Sequence, residues 1–207
     1  MRRTLVLPLV AVAITASVVA GCGSGSKTSS STSGPSGTAS STPSPAATES
    51  NPAGDIPDNQ AYVTYTASGQ GQTFSVKVPE GWSRTTTGAT VTFTDKLNRI
   101  DVTPATAGAA PTTRSVTSQV VPALQKQVPA FAQPKVSTVS RQAGQAVLLT
   151  YQGDSAPDPV TGKTAHDAFE RYAFFHNGHE VDLTLSGPVG ADNVDPWRIV
   201  TDSFRWQ

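Results

Sequence analysis

The chain has 207 residues, with 15 basic and 15 acidic side chains in balance. That balance leaves no cationic excess for a nucleic-acid surface. A single cysteine, Cys22, excludes an intramolecular disulfide, so any folded domain must rely on a packed core.

Arg2 and Arg3 open the chain, and Leu5 to Ala20 then carries no charge. A charged start, a short apolar run and small residues after it predict a secretory signal over residues 1–21. The run is roughly 16 residues, short of the ~20 that a spanning helix needs. Val19-Ala20-Gly21-Cys22 resembles the lipobox of bacterial lipoproteins. The resemblance implies cleavage before Cys22, a diacylglyceryl thioether on its sulfur, and anchoring to the extracytoplasmic face of the cell membrane. Lipidation accounts for a lone cysteine in an exported chain, and two acyl chains suffice for stable anchoring. Loss of residues 1–21 removes Arg2 and Arg3, leaving 13 basic against 15 acidic residues, a net charge of −2. The lipid is therefore expected to hold the membrane, and no nucleic-acid partner is expected.

Residues 22–54 follow as the lipidated cysteine and a tether. From Gly23 to Gly54, only Lys27, Glu49 and Asn51 depart from Ser, Thr, Gly, Pro and Ala. Such a segment has no large apolar side chain to offset the entropy of ordering, which predicts disorder. Flexible-linker scaling gives a reach of roughly 30 Å. Residues 55–207 then form one domain's worth of chain and hold every Trp and Phe.

Within the domain, period-two alternation predicts strands. Tyr62 to Thr66 is the first, and Phe74, Val76 and Val78 form the second, stopped by Pro79. Pro79-Glu80-Gly81-Trp82 reads as a turn that folds Trp82 back onto the core. Val91 with Phe93, then Ile100 with Val102, complete four strands. Val116, Val120, Leu124 and Val128 recur at helical spacing over 115–127, with Ser115 as N-cap and Pro122 as a kink. Strands return at Val136 to Val139 and Val147 to Tyr151, before a polar loop over 153–163. Phe169 to Phe175 and Val181 to Leu185 flank Asn177-Gly178, the strongest short hairpin signal in the chain. A last helix is expected from Asp192 through Trp197 and Val200, ending at Phe204.

Strands, helix, strands, helix define an α+β fold: an antiparallel sheet of six or seven strands covered by two or more helices. Phe74-Ser75-Val76-Lys77-Val78-Pro79-Glu80-Gly81-Trp82 resembles the strand, Pro, x, Gly, Trp opening of PsbP-like domains. The middle helix, the late hairpin and the Ser203-Phe204 ending are also similar, so the likeness runs from Tyr62 to Trp206. The resemblance implies a sheet between helices and a binding or assembly role, as in bacterial surface lipoproteins of that family.

Catalytic signals are sparse. His176 and His179 flank the hairpin turn and can form a cross-strand pair, but a zinc or copper site needs a third ligand that no spacing supplies. Asp154, Asp158 and Asp167 bracket the polar loop without the alternation of a calcium loop. Gly162-Lys163-Thr164 lacks the earlier glycine of a phosphate cradle. Ser155, His166 and Asp167 lie near one another in sequence, but no nucleophile-elbow pattern surrounds Ser155. No catalytic residue, metal or cofactor is therefore assigned, and the domain is read as non-enzymatic. Trp82, Phe174, Phe175, His176 and His179 are the candidate binding surface. Two partner classes stay open, an envelope protein and a small apolar or lipid ligand, with a hydrolase as the third reading.

Overall fold

The computed structural model describes residues 53–69, 71–158 and 161–207. The expected signal segment, Cys22 and the tether through residue 52 lie outside the described residues. In chain order the elements are β1 (Tyr62–Gly69), β2 (Gln72–Pro79), β3 (Ser83–Thr87), β4 (Thr90–Asp95) and β5 (Asn98–Thr106). The helical segments α1 (Thr113–Ser115), a π-turn (Val116–Val120) and α2 (Val121–Gln127) follow without a break. Then come β6 (Ala132–Arg141), β7 (Gly144–Asp154), β8 (His166–His176), β9 (His179–Pro188), α3 (Val194–Ser203) and β10 (Arg205–Trp206).

The expected α+β class holds, with seven strands in the main antiparallel sheet, ordered β3–β4–β5–β9–β8–β7–β6. β1 and β2 do not join it. They form a second antiparallel sheet with β10, ordered β1–β2–β10, so one covering layer is a small sheet plus α3 rather than helices alone. The hydrophobic pattern explains the split. Phe74, Val76 and Val78 of β2 are buried against the same core as Phe93, Ile100, Leu183 and Phe174 of the large sheet. Two sheets facing each other bury those alternating side chains from both sides. β3 escapes sequence detection because all five of its residues are exposed and none alternates.

The two faces of the large sheet differ. The face toward the small sheet is apolar at its centre, where Phe174 stacks on Phe204 at a ring distance of 4.3 Å with Phe74 beyond it, and it carries Glu170 and Arg141, both bonded to the Tyr172 hydroxyl, toward β6. On the opposite face the helical segments cover only β6 to β8. There Val116, Val120 and Leu124 pack on Val147, Leu149, Tyr151 and Ala173.

The helix begins at Thr113, three residues before its apolar stripe opens at Val116. Thr112, not Ser115, is the N-cap: its hydroxyl accepts from the Ser115 N–H at 3.0 Å while Ser115 returns a bond to the Thr112 N–H. Pro122 has no N–H and its ring crowds the preceding turn. The chain widens just before it, and the Val121 N–H bonds to the Val116 carbonyl, five residues back. At the helix end β7 passes close beneath, since a Cβ on Gly153 would lie 2.4 Å from Val128 Cγ1.

Where the chain enters the fold, a buried polar clasp holds it. Asn98 and Asn193 side-chain amides each donate to the Gly54 carbonyl at 2.9 Å, and Asn193 Oδ1 accepts from the Ile56 N–H. Asn193 occupies the N-cap position of α3 with its side chain spent on this clasp; Asp192 is not the cap, and its N–H donates to Asp55.

Candidate binding surface

The expected surface residues separate in space. β8 turns Phe174 and Phe175 to opposite faces. Phe174 is 1% exposed in the core, so it is corrected from surface to core. Phe175 is half-buried on the helix side, where it lines an open groove of about 360 Å³ with Ala173, Val147, Thr138, Gln145 and the chain at Pro111. Trp82 folds back as expected, its ring edge against Trp197 at 6.4 Å.

His176 and His179 pair across the hairpin, whose turn places Asn177 at φ 48° and Gly178 at φ 80°. His176 is exposed and stacks against Trp206 at 5.8 Å. His179 is half-buried, and its Nδ1 has no hydrogen-bond partner. Among the described residues, no three His, Cys, Asp or Glu side chains group as metal ligands.

The loop residues also take separate partners. His166 Nδ1 lies 3.0 Å from Asp154 Oδ1 across the β7–β8 ladder. Ser155 Oγ instead accepts from the Ala165 N–H at 3.0 Å and donates to the Ala156 carbonyl at 3.1 Å. Those bonds set the loop's closure and do not pair the hydroxyl with a base. Asp158 accepts from the backbone and hydroxyl of Thr161, which shapes the turn around Gly162 and Lys163. Asp167 is 1% exposed, and burial pushes its carboxyl up to about 6, with a Ser186 hydrogen bond opposing.

Sequence reasoning missed a charged cluster on the helix-side face. Cross-strand register aligns Thr92 with Asp101, Asp101 with Thr184, and Thr184 with Arg171; in the next row Thr103 pairs with Asp182 and Asp182 with Ala173, and the Thr103 hydroxyl bonds that of Thr90 at 2.8 Å. Residues paired this way share a face. Arg171 bonds Asp182 and lies 3.7 Å from Glu180, with its own side chain 12% exposed. Burial raises the Glu180 carboxyl to about 7, the Asp182 charge adds to the rise, and Arg171 opposes it. Asp182 is raised by burial as well, against the pull of Arg171. Beside them Asp101 accepts from Thr92 Oγ1 at 2.5 Å and from Arg99 at 2.8 Å. The signal was present: Asp182 alternates with the core residues Val181 and Leu183, which puts a charge on the other face of β9.

No protein-family model matches the chain, and no curated protein matches it. Among solved structures it is similar to the cyanobacterial PsbP protein CyanoP of Synechocystis sp. PCC 6803. The identity is 13% and the TM-score 0.49, over 74% of this chain and 98% of that one. It is also similar to LpqN, described as involved in cell envelope biogenesis of Mycobacterium tuberculosis. There the identity is 13% and the TM-score 0.42, over 70% of this chain and 91% of that one.

Proposed function

We propose that this protein is a non-catalytic binding module of a bacterial cell envelope. The lipid on Cys22 holds it to the extracytoplasmic face of the membrane, and its polar half-face recognises an envelope protein. The observation that carries the reading is the division of the helix-side face. Over β6 to β8 it is covered by the helix and, apart from Arg171 at the border with β9, its packed residues are mainly apolar, whereas over β4, β5 and β9 it presents Arg99, Asp101, Thr103, Glu180 and Asp182. Asp101 and Asp182 keep side-chain exposures of 24% and 23%. Fixed charges and hydroxyls in register suit hydrogen-bonded recognition. The space an apolar ligand would need between the sheets is filled by Phe74, Phe174 and Phe204, which disfavours the carrier reading.

A photo-crosslinking amino acid at Ala105, exposed beside the cluster on β5, tests this on living cells. Covalent adducts with one envelope protein, absent when the probe sits at Gln125 on the outer helix surface, are the expected result. Recovery of no adduct from Ala105 would remove the binding reading.

A further inference from the structure

Among the described residues, the sheet edges formed by β6, β3 and β1 are not treated alike. β6, at one end of the large sheet, is interrupted by a bulge between Ala132 and Lys135 and carries Pro134, Lys135 and Arg141. β3, at the other end, is five residues long and carries Arg84. Bulges, proline and charge are the usual means of preventing a strand edge from recruiting another strand. β1 has none of them. Its eight residues, Tyr62-Val63-Thr64-Tyr65-Thr66-Ala67-Ser68-Gly69, include no charge and no proline, and their pairing to β2 is in unbroken register.

The ladder shows which backbone groups face outward. The Ala61 carbonyl accepts from the Glu80 N–H at 2.8 Å, continuing the β1–β2 register by one pair. Hydrogen-bonded and non-bonded pairs alternate in an antiparallel ladder. Residues 63, 65, 67 and 69 therefore turn their backbone toward β2, and Tyr62, Thr64, Thr66 and Ser68 turn theirs outward. The far side of β2 obeys the same alternation: the Thr73 carbonyl accepts from the Gln207 N–H, and the Lys77 N–H donates to Ser203 Oγ.

We propose that β1 pairs antiparallel with β1 of a second copy of this chain, about a two-fold axis through Tyr65. A row of outward N–H and C=O groups at strand spacing is complemented along its whole length by another extended backbone. Here the edge is its own complement. Centred on Tyr65, the pairing sets Thr64 against Thr66 and Tyr62 against Ser68. All four outward donors and all four outward acceptors of each copy then find partners. No charge of the strand meets its like, and Val63, 44% exposed in one copy, is set opposite Ala67 of the other. The result is a continuous six-stranded sheet from two small sheets, with the isologous symmetry common in homodimers. This interface lies on the small sheet and is independent of the polar half-face proposed above.

The test uses the full chain with Cys22→Ser, which removes its only thiol. Sedimentation at about 100 µM, which populates a complex of micromolar affinity, is expected to show a dimer. Thr66→Pro removes an outward N–H that the monomer does not use. It should return the chain to a monomer, with thermal unfolding within a few degrees of the parent. Thr64→Cys with Thr66→Cys in the same background should give a disulfide-linked dimer on mild oxidation. A parent that sediments as a monomer, a Thr66→Pro chain that stays dimeric, or a cysteine pair that yields no linked dimer would overturn the proposal.

Discussion

The two faces of the seven-stranded sheet come from the same strands and have opposite characters. Toward the small sheet, Ile100, Leu183, Leu185 and Phe174 are each 1% exposed or less, and the packing continues across the layer into Phe74, Val200 and Phe204. Toward the helix, the same strands alternate apolar residues on β7 and β8 with charge and hydroxyl on β5 and β9. One face is spent on stability. The other is only partly covered, and its polar half holds Arg171, Asp182 and Glu180 in an arrangement that costs desolvation, a cost that a purely structural sheet avoids with apolar residues.

The sharpest way to break the closed face is Phe174→Ala. The ring stacks on Phe204 and is fully enclosed, so chemical denaturation should show a loss of about 3–5 kcal/mol. On the polar half, Arg171→Met should cost less, on the order of 2 kcal/mol at pH 8, because it leaves Asp182 and Glu180 near each other without their cation. At pH 5 the same substitution should cost less still, since both carboxyls can then take protons. That pH dependence separates a charge effect from a packing effect, and Phe174→Ala should show none of it.

The parent protein should share the trend. Asp167 at about 6, Glu180 at about 7 and the raised Asp182 all bind protons more tightly folded than unfolded. Their contribution is fully present below the unfolded values near 4 and is lost as pH rises through 6 and 7. Thermal melts should therefore show higher stability at pH 5 than at pH 8 from these groups, and Glu180→Gln should flatten the slope between pH 5 and 8. A slope that Glu180→Gln leaves unchanged would show that the cluster is not its source. The smallest effect expected is at the helix start, where Thr112→Ala removes one half of a reciprocal cap and should cost about 1 kcal/mol without pH dependence.

Much of this contrast was legible beforehand, and the reasons it was not wholly so are local. Phe74, Val76 and Val78 announce a half-buried strand by alternation, and Asn177-Gly178 fixes the β8–β9 hairpin because both residues must take positive φ. Alternation does not say which sheet a strand joins, so β1 and β2 could not be separated from the large sheet. That depends on β10, two residues long and visible only through its pairing with Ser75 and Phe74. Trp82 was placed correctly from its turn. Phe174 and Phe175 could be divided between two faces, but which faced the core could not be read from consecutive phenylalanines. The charged cluster was missed because its members lie on β8, β9 and β5, far apart in sequence, and register alone brings them together. Motifs run along the chain, whereas this cluster runs across it.

The central claim is that the polar half-face, not the aromatic residues, makes the protein a binding module. Thr103→Arg tests it most directly. The residue lies between Thr90 and Asp182 on that face, and a long cation there blocks approach without touching the core. With the photo-probe at Ala105 on living cells, the envelope-protein adduct is predicted to disappear while thermal stability stays within a few degrees of the parent. An adduct of undiminished yield on a folded Thr103→Arg chain would contradict the account.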